Sequence, residues 1–190
     1  VPDDRRDRAR SHRRVSGAKT DDWHIRLAQR DDAAAMPAIE RAAGRMFERI
    51  DGLAWVAGQA TVPVDRLERY IVRGHCLVAQ ASEQIVGFLA TEPFGRELHA
   101  YEFSVHPDWQ GCGIGSALLR GCMIDARNSG FTAITLTTFA DVPWNAPFYR
   151  RMGFVELAAA DNPRLADELA AEAERGMPAV ARIAMVCVLG

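Results

Sequence analysis

Hydrophobic and polar positions along the chain change period several times, and each change marks an element. Trp23 to Gln29 predicts a strand. Asp31-Asp32 signals a helix start with Pro37 in or near its first turn, and Met36, Ile39, Ala43, Phe47 and Ile50 keep a helical period until Asp51-Gly52 closes it. Val64 to Arg73 predicts a second, shorter helix ending at Gly74. The period then becomes that of strands over Cys76 to Gln80, Ile85 to Thr91 and His99 to Val105. Ser82-Glu83-Gln84 and Glu92-Pro93-Phe94-Gly95 separate them, so an antiparallel meander is expected. Ile114, Ala117, Leu118, Gly121 and Cys122 form an apolar helix stripe that stops at Asn128-Ser129-Gly130, and Phe131 to Thr138 is a β-branched strand. A short helix over Asn145 to Met152 ends at Gly153, and a strand starts from Phe154. A helix around Arg164 to Arg175 precedes a last strand, Ala179 to Val188. The sum is a mixed sheet carrying helices, an α+β domain.

Composition narrows this picture. A chain of 190 residues with 48% hydrophobic content is expected to build one domain, over residues 23 to 190, around a real core. A net charge of -2 provides no general attraction to nucleic acid or anionic lipid. The apolar runs fall short of the roughly 20 residues that span a bilayer, and the charged N-terminus lacks a secretory apolar stretch, so a cytoplasmic protein is expected. Residues 1 to 22 interleave Arg5, Arg6, Arg8, Arg10, Arg13 and Arg14 with Asp3, Asp4 and Asp7, which reads as a disordered tail. Cys76, Cys112, Cys122 and Cys187 are too far apart for a metal or redox pattern; free thiols and no metal are expected.

The most informative run is Val105 to Ser116, where an apolar strand leads through a glycine-studded turn into an amphipathic helix. Gly111, Gly113 and Gly115 let backbone N–H groups converge on a ligand, and the helix starting near Ile114 aims its positive dipole end at the same point. That is an anion cradle able to hold two phosphates. Taken alone it also fits any tight strand-to-helix turn. A dinucleotide fingerprint is disfavoured, because Ser116 stands where glycine or alanine belongs and Pro107 to Trp109 separates strand from loop.

Gln110-Gly111-Cys112-Gly113-Ile114-Gly115 meets the Q/R-x-x-G-x-G/A signature, and Phe148-Tyr149-Arg150-Arg151-Met152-Gly153-Phe154 follows as an aromatic-Tyr-x-x-x-Gly-Phe run. In both motifs and their order the chain resembles the GNAT superfamily of N-acetyltransferases, over roughly Trp23 to Val188. The resemblance implies a mixed, mostly antiparallel sheet of about seven strands with helices on both faces, splayed between the fourth and fifth strands. It implies acetyl-CoA as co-substrate, its pantetheine pairing with Phe103, Ser104 and Val105 as an added strand and its pyrophosphate taking N–H groups from Gly111 to Ser116. Departures from the family pattern are visible. None of Gly111, Cys112 or Ser116 is basic, which leaves phosphate binding to backbone and dipole with Arg120 as a helper. Val142 stands where relatives carry an asparagine, and Asn145, four before Tyr149, either serves the cofactor or caps its helix.

The implied chemistry is direct attack of a neutral amine on the thioester within a ternary complex. Tyr149 is the candidate hydrogen-bond donor to the departing thiolate. A phenol with pKa about 10 is a weaker acid than a thiol at about 8.5, so full proton transfer runs uphill by about 2 kcal/mol. The Val105 N–H is the candidate polariser of the acetyl carbonyl. Glu102 is the first choice of general base, with His99 in reserve; alternation would turn the Glu102 carboxylate to the face opposite Tyr101 and Phe103. A cross-strand pair between Glu102 and an arginine is the ordinary alternative, and a packed helix aromatic is the ordinary reading of Tyr149. His24, His75 and His106 read as turn or surface residues. Phe47, Glu48 and Trp55 lie where relatives build the acceptor site, but residues 44 to 62 encode no recognisable amine-binding pattern. The expected partners are therefore acetyl-CoA and an amine of a small molecule, peptide or protein. Pairing of the last strand between chains leaves a homodimer open. A CoA-binding sensor or scaffold without turnover is the competing function.

Overall fold

In the computed structural model, residues 22–177 and 182–190 are described. The expected N-terminal tail, up to residue 21, and the first part of the expected last strand, residues 179–181, lie outside them. Seven strands form one sheet: β1 (Trp23–Leu27), β2 (Leu77–Ala81), β3 (Gln84–Phe94), β4 (Glu97–Val105), β5 (Ala133–Phe139), β6 (Val155–Leu157) and β7 (Arg182–Val188). Their order is β1-β2-β3-β4-β5-β7-β6. Only the β4–β5 pair is parallel among these neighbours; the others are antiparallel. The meander expected for residues 76 to 105 is β2-β3-β4. β7 lies between β5 and β6, which pairs with it at Ala184, Met185 and Val186.

Helices cover both faces. On one, α3 (Ile114–Asn128) buries Ile114, Leu118, Leu119, Cys122 and Ala126 against Leu77, Leu89, Leu98, Ile134, Leu136 and Met185. At Gly121 a Cβ would meet Ile25 Cδ1 at 2.7 Å and Leu77 Cδ1 at 3.3 Å, so those side-chain tips would have to shift to admit one. On the other face, α1 (Met36–Gly44) and α2 (Val64–Val72) bury Met36, Ile39, Leu67, Tyr70 and Ile71 against Val78, Phe88 and Ala90. Among the later helices, α4 (Ala146–Arg151) follows β5 and α5 (Pro163–Glu174) precedes β7.

The helix expected to run to Ile50 instead stops at Gly44 and continues as a 3-10 turn over Arg45–Arg49, with another over Ala54–Gly58. The apolar period survives the break because these turns bury a cluster of their own. Leu53 packs with Phe139 and Val142 there, with Phe47, Ile50, Trp55 and Trp144 around them. That cluster joins the segment after α1 to the segment after β5. Val142, at the position where relatives carry an asparagine, is thus a core residue.

The four cysteines are unpaired. No helix among the described residues is long and apolar enough to cross a membrane.

Leu118 is fully buried whereas Ile124, on the outer face of the same helix, is 58% exposed. Leu118→Ala is expected to cost about 2–5 kcal/mol in urea denaturation, and Ile124→Ser about 0.5 kcal/mol or less. Equal losses at the two positions would contradict the placement of α3.

Candidate active site

The sheet opens because β4 carries one residue too many. Ala90 faces Glu102 across the β3–β4 ladder while Thr91 faces Ala100, which leaves Tyr101 as the extra residue of a β-bulge. A bulge bends and over-twists its strand. Parallel pairing with β5 ends at the Ala100–Leu136 pair, immediately before the bulge, and residues 101–105 diverge from β5. A cleft of about 830 Å³ occupies the gap.

The bulge also corrects the expected direction of Glu102. Its carboxylate faces away from Phe103, as alternation requires, but lies on the same side as Tyr101, because the two bulged residues share one face. Ala90, the partner of Glu102, belongs to the core beneath α1 and α2, and Tyr101 packs against that core; Phe103 packs on the α3 side. Glu102 accepts a hydrogen bond from the Ser104 hydroxyl at 2.7 Å. Burial raises its pKa, offset in part by the bonds from Ser104 and the Phe103 N–H and by the Arg182 charge. No described arginine forms an ion pair with it, so the ordinary cross-strand pairing is not what holds it.

Tyr149 enters the cleft from α4, its ring packed against Phe103, Phe148 and Phe154. Its hydroxyl has no hydrogen-bond partner among the described residues. Burial and the Glu102 charge hold its pKa above the ordinary phenol value, with Arg182 opposing. The phenol is therefore a neutral donor.

At the other end of the cleft, Gly113 caps α3 with φ 84° and no side chain bonds to the first turn, which leaves the leading N–H groups of the helix to a ligand. Gly111 is also left-handed, at φ 77°. Gly115 is helical, and a Cβ there would make only ordinary contacts with Phe103 and Phe148. Gln110, Ile114 and Ser116 line the same end. Cys112 does not; it is exposed with its thiol toward the Gln110 carbonyl. The Gln110 amide donates to the Val105 carbonyl at 3.0 Å. Because the next amide, His106 N–H, donates to Val86 on β3, strand alternation turns the Val105 N–H toward the open edge.

Asn145 does not cap α4 with its side chain. Its amide donates to Thr138 Oγ1 at 2.8 Å, and its Oδ1 is buried without a partner beside the cleft. An orphaned acceptor there fits a ligand N–H. Arg120 is not among the cleft residues, whereas Arg151 is.

The reserve base is displaced. His99 is 1% exposed, bonded through Nδ1 to Thr135 and packed edge-on to Tyr101 and Phe94. Burial and the Arg164 charge push its pKa down to about 3. His24 is exposed, His75 pairs with Asp125, and His106 accepts from the Asp108 N–H. Phe47 lines the cleft, but Glu48 and Trp55 do not.

Two features escaped the sequence. Glu40, on α1, points into the cleft and accepts from the Val62 N–H at 3.0 and 3.2 Å. Burial and the charge of Glu102 raise its pKa to about 8, against the Val62 N–H and Arg41. Arg182 and Glu172 form a bidentate pair at 2.7 and 3.0 Å, with Thr137 bonded to both. Neither has a local sequence signature, since both depend on residues distant in the chain.

Residues 72–156 match the family model described as the acetyltransferase (GNAT) domain. Over that stretch, from the end of α2 through most of β6, the chain is similar to a GNAT acetyltransferase domain. The uncharacterized N-acetyltransferase ycf52 of Porphyra purpurea is 32% identical over 77 residues, 40% of this chain. The matched part spans 42% of that relative's length. Among solved structures, the PaiA N-acetyltransferase of Thermoplasma acidophilum in complex with coenzyme A superposes with a TM-score of 0.64 at 15% identity, covering 88% of this chain and 99% of that one. A GNAT family acetyltransferase of Brucella melitensis in complex with acetyl-CoA is 27% identical, with a TM-score of 0.53, over 70% of this chain and 83% of its own. The GNAT fold accounts for the mixed sheet and its single parallel β4–β5 pair.

Linkage gives the Glu40 assignment a test. Its pKa is about 8 in the folded protein, against an ordinary value of 4.5. Its contribution to stability is therefore complete below about pH 4.5 and declines as pH rises through about 8. Glu40→Gln removes this titration, so the variant is expected to lose less stability than the parent between pH 6 and pH 9 in urea denaturation. Parallel stability curves would show that Glu40 titrates normally.

Proposed function

We propose that this GNAT domain is an acetyl-CoA-dependent N-acetyltransferase acting on a primary amine by direct attack in a ternary complex. The observation that carries the reading is the bulge-made cleft itself, which has Glu102 on one strand, Tyr149 on the helix that follows the other, and uncapped amides of α3 at one end. Phe103, Ser104 and Val105 offer the open strand edge for pantetheine, with Asn145 beside it. Backbone groups of Gln110, Gly111, Gly113, Ile114, Gly115 and Ser116 form the diphosphate cradle. Acetyl-CoA supplies an electrophilic thioester: the amine nitrogen bonds to the acetyl carbon, the carbon–sulfur bond breaks, and the electron pair leaves with sulfur.

Glu102 takes the proton that the acceptor ammonium must lose, directly or through a water. A buried carboxylate with a raised pKa is a stronger base than one in water, which suits proton removal near neutral pH. The Val105 N–H donates to the acetyl oxygen as it gains charge, and Tyr149 donates to the leaving sulfur. Net, acetyl-CoA and an ammonium become an amide, free CoA and a proton.

The test is thiol release from acetyl-CoA by the full chain across a panel of primary amines. Amine-dependent release is expected, whereas bound CoA with no release above background would leave a CoA-binding sensor. For Tyr149→Phe, a fall in kcat that exceeds the change in acetyl-CoA KM is expected. An unchanged kcat would remove the phenol from the mechanism.

A further inference from the structure

Glu40 and Glu102 enter the cleft from different elements, α1 and β4, and each is oriented by a neutral donor. The Val62 N–H holds Glu40 and the Ser104 hydroxyl holds Glu102. Neither carboxylate forms an ion pair with a described residue, although five arginines line the same cleft. Three of those are committed elsewhere. Arg182 is bound to Glu172, Arg175 to Glu168, and Arg66 donates to the Tyr70 hydroxyl. The other two, Arg41 and Arg151, are exposed. The inner wall is therefore left with two acids that no cation bonds directly, and Glu40, whose proton is held up to about pH 8, ionises when a cation settles beside it. The attraction between Glu40 and a cation is stronger here than in open water, because the site is mostly buried.

We infer that Glu40 is an acceptor-specificity residue: with Glu102 it seats the amine as its ammonium, and together they reject amines that carry a carboxylate on the amine-bearing carbon. This rests on the transferase reading above and adds the class of acceptor. A primary ammonium has three N–H donors, enough to bond both carboxylates before Glu102 removes one proton. An α-carboxylate would be held against the same two acids, and of the cleft arginines only Arg41 and Arg151, both exposed, could turn inward to receive it. Alkylamines and amidated or peptide-linked N-termini fit; free α-amino acids do not.

Glu40 has an ordinary role as well, tying α1 to the segment before α2 through Val62. Glu40→Gln separates the two roles, because a glutamine oxygen can still accept the Val62 N–H while the charge is lost. The experiment uses the full chain at saturating acetyl-CoA with phenethylamine, L-phenylalaninamide and L-phenylalanine, read by thiol release. The wild type is expected to acetylate the first two and to use L-phenylalanine at least about 10-fold less efficiently, the scale of one charge-assisted contact. Glu40→Gln is expected to raise the phenethylamine KM about 10-fold or more, leave the acetyl-CoA KM in place, and narrow the gap to L-phenylalanine. An unaltered acceptor KM in the variant, or L-phenylalanine used as well as its amide, overturns the inference. If the wild type acetylates none of the three, the transferase reading fails on these acceptors. Calorimetric titration of phenethylammonium then decides about Glu40: tighter binding to the wild type than to Glu40→Gln upholds its role, and equal or absent binding overturns it.

Discussion

One surplus residue in β4 organises this molecule. An uninterrupted ladder would carry β4 alongside β5 to its end, and the gap in the sheet would be closed by backbone hydrogen bonds. Tyr101 prevents that. Its insertion shifts the β3–β4 register, and the parallel pairing stops at Ala100. The bulge is held from both sides of the ring: Tyr101 stacks on Tyr70 of α2 at 5.2 Å and meets His99 edge-on at 4.6 Å. His99 is in turn fixed by Thr135 of β5. A neutral imidazole suits this role, since a protonated one would be a buried charge facing Arg164. The histidine that composition offers as a base is a strut for the bulge.

The cleft that results has two electrical ends. At one, the first turn of α3 offers partial positive charge and unbonded amides; along the wall toward α1 stand two carboxylates. Arg182 lies between these extremes in its effect. It opposes the pKa rise at both Glu102 and Tyr149 while being bound to Glu172 and Thr137. A paired guanidinium still contributes a field, so the Arg182–Glu172 pair tempers the cleft without occupying it.

Most of the fold was legible because strand and helix periods are local properties. Each strand lies within a few residues of its expected span, and most of the glycine loop lines one cleft with Tyr149. The failures share a cause, since each depends on contacts made after the chain has folded. Alternation placed Glu102 opposite Tyr101, and no residue-type pattern marks where a ladder will gain a residue. The apolar period through Phe47 and Ile50 concealed the end of α1, because 3-10 turns can bury the same side chains. Glu40 looks like any exposed helix acid until the Val62 amide, 22 residues later, turns it inward. Asn145 reads as a cap from its position, yet Thr138 of β5 claims its amide.

The environment of Tyr149 decides what kind of help a phenol can provide at this position. Burial and the nearby Glu102 move its pKa upward, further from that of a thiol at about 8.5. Complete transfer of its proton to a departing thiolate therefore becomes less favourable than in water. Donation without transfer is strengthened by the same surroundings, because a hydrogen bond to an anion gains where competing water is scarce. The packing of Tyr149 against Phe103, Phe148 and Phe154 supplies that scarcity. In the proposed reaction the phenol thus stabilises charge on sulfur while keeping its proton. The proton that CoA finally takes up then comes from solvent or from the acceptor by way of Glu102.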